Sequence, residues 1–459
     1  MIVPTPADDQ HAVIAFLSDP ASHGADAVDR IESHCSIVFL VADRAYKLKR
    51  AIRYASLDYT SRTARQNACE AELVLNRRTA PELYLGVRAI TREAAGLLAF
   101  DGVGEVLDHV VVMRRFAQSD LFDALLQRGM LTPNLMHALG TCIAQFHLGI
   151  QPTPTHGGSD AMRRVIVENA RELALVAIAL DGAAVDTMGE RARAALGSLE
   201  GLLDRRRAAG KVRRCHGDLR LANICLYAGR PTLFDCIEFS DEVGCIDVLY
   251  DLAFLLMDLH LRDRGDLANA VFNAYADVAP DTEGLRALPL FLALRAATRS
   301  YALAGSAQRQ ADPRRAVELM VQARRHIAAS LAFLAPAPPR LLALGGGNEH
   351  ERCEMAERLA AWLPPAPGAR IVPLTQAGEA NWREADETLA AGCSVVLRAP
   401  FDDDATRARA AALAKTRSVS FEGRWAGPVP FGLAIGTWRR LSPSDRVLDP
   451  DQNEIGPTI

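Results

Sequence analysis

The sequence predicts an α+β fold followed by a smaller α/β region, and three observations carry that reading. Ser36 to Leu40 and Arg44 to Lys49 are two short strand patterns joined by a tight turn, and a long helical pattern follows from Ser61 to Thr79. From Thr132 onward helical patterns dominate, broken by one island of strand character between Val212 and Phe239. The proline cluster Ala335-Pro336-Ala337-Pro338-Pro339 ends the helical run, because clustered prolines cannot continue a helix and favour extended geometry. Past it, Leu341 to Leu344 is a short apolar strand, Gly345-Gly346-Gly347 a turn, and Glu351 to Leu363 a helix, the order of a βα unit. The predicted division is 1–113, 114–334, a linker at 335–340, and 341–459.

With 459 residues, 49% hydrophobic and 24% charged, the chain has the composition of globular protein and room for a sizeable core. A formal net charge of -4 gives no electrostatic reason for nucleic acid or an anionic membrane as partner. The basic run Arg205-Arg206-Arg207 is short, follows Asp204, and reads as a solvated helix face. Nine scattered cysteines form no C-x-x-C pair and no zinc spacing, so a disulfide framework and a structural metal are not expected. Met1 to Pro6 lacks the order of a signal peptide, and the apolar stretch Leu249 to Leu261 is interrupted by Asp251 and Asp258. A cytoplasmic protein is expected; no pattern fixes an oligomeric state.

The most specific motif is His216-Gly217-Asp218-Leu219-Arg220-Leu221-Ala222-Asn223, which has the H-x-D-x-x-x-x-N spacing of the protein-kinase catalytic loop. His216, Gly217, Asp218 and Asn223, four positions at this spacing, arise by chance in well under ~1% of chains this long. Asn223 to Tyr227 and Thr232 to Ile237 flank Ala228-Gly229-Arg230-Pro231, a hairpin turn; centred on Gly229, it sets Asn223 opposite Asp235. Side chains so opposed lie roughly 5 Å apart at Cβ, and an amide oxygen with a carboxylate can hold Mg²⁺ while leaving room for phosphate and water. Asp218 would then accept or orient a hydroxyl proton, and Asn223 and Asp235 would hold Mg²⁺ on ATP phosphates. Arg220 either adds charge near the transferred group or forms a structural ion pair. Glu238 stands either behind these residues or against the substrate, and His216 orients the loop. Ala45-Tyr46-Lys47 puts Lys47 in the A-x-K position of a phosphate-contacting lysine, although alternation sets Lys49 on the same face and periodicity alone does not choose between them.

From about Ile31 to Leu334 the chain resembles the aminoglycoside phosphotransferase-like domain of bacterial two-domain proteins that join it to a P-loop ATPase or kinase domain. The residues carrying the likeness are Tyr46 to Arg50, Asn76-Arg77-Arg78-Thr79-Ala80-Pro81, Val112-Met113-Arg114-Arg115-Phe116, the catalytic loop, and Asp247 to Asp258. The resemblance implies a bilobed protein-kinase-like fold with ATP near a hinge after Met113, and it favours Glu72 over Glu70 as the lysine's partner. Asp247 and Asp251 are read as braces of the loop rather than metal ligands. One departure is that no G-x-G-x-x-G loop precedes Lys47, only a turn through Val41, Ala42 and Asp43.

In that architecture the last region would open on a Walker A loop. Here Glu351 and Arg352 take the Gly-Lys positions and Cys353 the Ser/Thr position, while Arg398 stands where an acidic Walker B residue would be. A P-loop-like fold without nucleotide chemistry is expected. The resulting reading is an ATP- and Mg²⁺-dependent phosphotransferase acting on a hydroxyl of a small polar molecule, with Asp241 and Glu242 as candidates for an acidic acceptor lining. The alternative is a catalytically silent kinase-like protein that binds nucleotide or a partner.

Overall fold

The computed structural model describes residues 10–33, 35–54, 57–374, 378–429 and 436–441; the Met1 to Pro6 stretch lies outside them. The chain divides into two compact units, one formed by 1–131, 145–161 and 204–252, the other by 132–144, 162–203 and 253–459. Among the described residues no helix is long and apolar enough to cross a membrane, and all nine cysteines are free thiols.

In chain order the first stretch is α1 His11–Ser18, β1 Asp29–Glu32, β2 Ser36–Val41, β3 Arg44–Lys49, the two-residue strands β4 Arg53–Tyr54 and β5 Leu57–Asp58, α2 Arg62–Asn76, β6 Tyr84–Arg92, β7 Leu98–Phe100, β8 Glu105–Arg114 and α3 Phe122–Gln127. Six of these strands form one antiparallel sheet in the order β1-β2-β3-β8-β6-β7. One apolar cluster joins Val13 and Leu17 of α1 to Phe39, Leu48, Ile90 and Val110 of the sheet; another joins Cys69 of α2 to Leu40, Ala45, Val111 and Met113. Burying these side chains is the main stabilising term, at about 1.5–3 kcal/mol for each large one.

The helix α2 starts where Ser61 accepts the Ala64 N–H and is fixed in its first turn by a buried pair, Arg65 Nε to Asp108 at 3.0 Å. Gln10 donates to the same carboxylate at 2.7 Å. A buried ion pair satisfied on this many sides holds register more than it adds stability.

There follow α4 Pro133–Gly149, α5 Gly158–Val176, α6 Gly182–Ala208, β9 Val212–Arg214, β10 Ile224–Tyr227, β11 Arg230–Leu233, α7 Asp241–Gly244, β12 Cys245–Asp247, α8 Val248–His260, α9 Gly265–Val278, α10 Leu288–Arg309 and α11 Pro313–Phe333. Within the second unit α10 and α11 lie side by side, with Ser300 donating to the Ala323 carbonyl and Ser330 to that of Ala293, each at 2.8 Å.

The last region holds β13 Arg340–Gly346, α12 Glu349–Ala360, β14 Arg370–Pro373, α13 Glu379–Ala390, β15 Val395–Arg398, α14 Asp404–Arg417, β16 Ser420–Ala426 and β17 Arg439–Arg440. Its parallel sheet runs β14-β15-β13-β16-β17, and such crossovers leave strands apolar on both faces: Leu341, Ala343, Val395 and Leu397 are buried on one face, Leu342, Leu344 and Val396 on the other. The edge strand β14 is covered by amides of α9: Asn273 Oδ1 accepts the Ile371 N–H at 2.8 Å, and Asn269 donates to the Ala369 carbonyl at 2.9 Å. The second unit therefore runs unbroken through the proline cluster.

Candidate active site

Strand alternation does what the sequence requires of β3: Lys47 and Lys49 point the same way and both are buried. They meet Glu72, which α2 carries and which is fully buried. Each lysine takes one carboxylate oxygen, Lys47 Nζ on Oε1 at 2.8 Å and Lys49 Nζ on Oε2. Lys47 also donates to Asp235 Oδ1 at 2.5 Å, while Lys49 donates to Glu238, whose same oxygen accepts the Tyr59 hydroxyl at 2.5 Å. Burial alone would push the Glu72 carboxyl up, but the two ammoniums outweigh it and hold the group at about 2. Burial likewise works against the charge on both lysines, and their carboxylate partners overcome it, raising each above its ordinary value.

The loop from His216 to Asn223 is hung between β9 and the start of α8. Both oxygens of Asp251 accept its backbone, the His216 N–H at 3.0 Å and the Gly217 N–H at 2.8 Å, and His147 Nε2 lies 3.1 Å from the same carboxylate. His147, Cys215 and Asp251 are close enough to suggest a metal. The Asp251 oxygens are committed to the loop, so the group is a brace. Asp247 is one too, held by Arg206 at 2.7 and 2.8 Å and accepting the Leu249 N–H. Gly217 has φ +86°, and a side chain there would press on Ile237. The His216 ring nitrogen sits 2.9 Å from the Phe234 carbonyl, which ties the loop to the strand ahead of Asp235. Burial would lower this imidazole, yet Cys236, Asp251 and Asp218 around it raise it to about 9.

Asp218 is held by Arg220 through two bonds of 2.7 Å, and Asn223 Nδ2 donates to the Asp218 carbonyl and carboxylate, both at 2.8 Å. Arg220 thus forms the ion pair, one of the two roles its position allowed. Those bonds use the Asn223 amide nitrogen and leave Oδ1, the atom a cation would bind, out of them.

The hairpin differs from expectation. Its register pairs Ile224 with Leu233 and Tyr227 with Arg230, so the turn is Ala228-Gly229 alone and Asn223 stands opposite Phe234, not Asp235. Ala228 at φ 48° and Gly229 at φ 75° make a tight two-residue turn of the kind that matches strand twist. Asp235 leaves the strand with φ +62°, a strained conformation for a non-glycine residue and common at functional sites. Its N–H bonds the Tyr84 hydroxyl at 3.1 Å, and the next N–H, of Cys236, bonds Asn76 Oδ1 at 2.8 Å. Burial and the Glu72 charge raise the Tyr84 hydroxyl well above its ordinary value, so it stays protonated. Asn76 and Tyr84 hold the backbone at Asp235 and Cys236 and were not singled out by the sequence reading; Asn76 opens one of the resemblance segments, which was the available signal.

Met113 is buried on β8, paired with Ala45 on one side and Tyr84 on the other, and Arg114 to Ala117 follow it. The turn between β2 and β3 is Ala42-Asp43, with Ala42 at φ 46°. Asp241 opens α7 and pairs with Arg214 at 3.2 Å, which commits it locally. Among Lys47, Lys49, Glu72, Asp235 and Glu238, Asp235 has the most exposed side chain, at 41%.

A sheet with a buried lysine-glutamate pair, a braced loop carrying Asp218 and Asn223, and a strained Asp235 together define a kinase-like fold. Residues 64–288, just under half of the chain, match the model of the phosphotransferase enzyme family. The chain is 28% identical over 349 residues to a protein of Mycobacterium tuberculosis and to one of Mycobacterium bovis, both described as uncharacterized; the match spans 75% of this chain and 66% of theirs, just under two thirds of their length. Similar solved structures include a choline/ethanolamine kinase family protein from Mesorhizobium loti, with TM-score 0.41, 16% identity, and 70% of this chain and 98% of that chain covered. A Plasmodium vivax ethanolamine kinase gives 0.40 at 12% identity, covering 66% and 82%. An aminoglycoside 2'-phosphotransferase in its GDP complex gives 0.42 at 13% identity, covering 70% and 99%. The fold assignment stands on the elements above and not on these likenesses.

Proposed function

We propose that this protein transfers the γ-phosphoryl group of ATP, with Mg²⁺, to a hydroxyl of a small polar molecule. The observation that carries the reading is the lysine bridge: Lys47 holds Glu72 on one side and Asp235 on the other, 2.5 Å away. An ammonium resting on a carboxylate that a metal can claim is placed to pass to phosphate when Mg·ATP arrives, which supports Lys47 rather than Lys49 as the phosphate lysine. Asn223 Oδ1 and Asp235 would hold Mg²⁺, whose hard charge suits oxygen ligands and leaves sites for phosphate. The metal supplies charge neutralisation on the phosphates when bound. Asp218 would orient the acceptor hydroxyl and take its proton, with Arg220 fixing the carboxylate in both oxygens, and Met113 would border the adenine near the following hinge.

Phosphoryl transfer asks mainly for positioning, and this chain provides rigid supports for each candidate residue. The second reading, a silent nucleotide- or partner-binding protein, is favoured by one feature, the two-residue Ala42-Asp43 turn where a longer phosphate-covering loop would be. The last region, in either reading, would act as a scaffold without nucleotide chemistry.

The test is Mg²⁺-dependent ATP binding and turnover against a library of hydroxyl metabolites. Asp235→Ala should abolish Mg·ATP binding, whereas Asp218→Ala should bind but lose turnover by about 10²-fold or more. A wild type that binds Mg·ATP without turnover on any acceptor would favour the second reading, and one that binds none would end both nucleotide readings.

A further inference from the structure

Glu238 lies three residues past Asp235 and is 7% exposed at its side chain. It closes a chain of alternating charge that runs Asp235, Lys47, Glu72, Lys49, Glu238, with Tyr59 donating to the last carboxylate. We propose that Glu238 is a positioning residue for the phosphate lysine: it holds Lys49, so that Glu72 stays available to Lys47 when Asp235 turns to the metal. The proposal rests on the kinase reading of this site and adds a residue with a stated task to it.

The argument is one of charge and valence. Glu72 offers two oxygens, and each already has one lysine. In the ligand-free arrangement two ammoniums face three carboxylates. Once Asp235 binds Mg²⁺, Lys47 must be steered by Glu72 alone, and Lys49 competes for the same carboxylate from two positions along the strand. A second anion on Lys49 removes that competition. Glu238 is that anion, and its shared oxygen is pinned by Tyr59, whose ring lies 5.5 Å from the Lys49 ammonium. Tyr59 is itself buried, and its carbonyl accepts from Arg65 of α2 at 2.9 Å, so the lock is tied to the element that carries Glu72. Without Glu238, Lys49 would be a buried cation leaning wholly on Glu72, and removing one partner of such a network leaves the other uncompensated.

The experiment uses the full chain with Mg·ATP and its non-hydrolysable analogue as probes, comparing wild type, Glu238→Gln, Lys49→Met and the double variant by calorimetry, with folding checked by circular dichroism. Glu238→Gln is expected to weaken Mg·ATP binding about tenfold, and Lys49→Met in that background to bring it back within about threefold of wild type, because the competing cation is gone. A merely structural role predicts instead that the double variant is worse than Glu238→Gln. The proposal is overturned if Glu238→Gln binds as wild type does, or if the double variant binds more weakly than it. Should Glu238→Gln not fold, the double variant decides: near-wild-type affinity supports the proposal and a folded, non-binding protein ends it. A wild type that binds no Mg·ATP overturns the kinase reading and this proposal together, a result distinct from binding that ignores Glu238.

Discussion

The segment around Asp235 and the glycine turn at Gly345 to Cys353 are both crowded with charge, yet they satisfy it in different ways. The partners of Lys47 come from 25 and 188 residues along the chain, and those of Lys49 from 23 and 189. At the glycine turn most are local, apart from Arg398, which lies 49 and 45 residues from its partners Glu349 and Cys353. Asn348 and Glu351 cap each other, the Glu351 N–H on Asn348 Oδ1 at 2.9 Å and the Asn348 N–H on Glu351 Oε2 at 3.0 Å. Arg352 donates to the Gly346 and Gly347 carbonyls and to Glu349, and Arg398 reaches Glu349 and Cys353. A helix N-terminus attracts anions because its first N–H groups lack partners, and here a carboxylate of the same turn accepts one of them. The difference teaches that a site able to exchange partners is one whose ends the whole fold holds apart, whereas a turn that closes on itself has little left to offer a ligand.

The comparison breaks most visibly if a long-range brace proves dispensable. Asp251→Ala strips the acceptor from two buried backbone donors, at about 1–3 kcal/mol each, so a loss of about 3 kcal/mol or more is expected. Denaturant unfolding of the variant against wild type measures it; a change below about 0.5 kcal/mol, ordinary for a surface substitution, would show that the loop does not hang on α8.

A smaller effect tests the buried charges through pH. The Glu72 carboxyl stands at about 2, below its ordinary 4.5, because Lys47 and Lys49 overcome the opposing effect of burial. A depressed carboxylate stabilises the fold fully above its unfolded value and loses that contribution as pH falls through the folded one. Wild type should therefore exceed Glu72→Gln in unfolding free energy above about pH 4.5, with the gap narrowing toward pH 2. A gap that stays constant through this window would mean that the two lysines do not lean on Glu72.

Legibility in the sequence follows the same division between local and distant. The catalytic loop is read from eight consecutive residues, and the shared face of Lys47 and Lys49 from strand alternation, since both are properties of short segments. The hairpin register was missed by one position because the turn takes only Ala228 and Gly229, and an alanine at positive φ is not what turn composition suggests. Asn76 on the Cys236 N–H, Tyr84 on the Asp235 N–H and Tyr59 on Glu238 leave no spacing rule, being contacts across 160, 151 and 179 residues. The proline cluster is equally silent about α9, whose two asparagines cover the edge of β14 through bonds across about a hundred residues.

The smallest effect is expected at the glycine turn, and it sharpens the comparison from the other side. Glu351→Ala removes one half of the reciprocal cap and should cost about 1 kcal/mol, in the range of a lost helix N-cap, visible as faster hydrogen exchange in the first turn of α12. Because Asn348 keeps its bond to the residue 351 N–H and Arg352 keeps its carbonyls, the turn should not open further. Mg·ATP titration of this variant and of wild type should give one nucleotide per chain in both, with dissociation constants alike. A second nucleotide per chain in wild type would show that the turn binds phosphate in spite of its local pairing. A second one appearing only in Glu351→Ala would show that this carboxylate alone keeps phosphate out, and that Arg352 and Arg398 are ready to receive it.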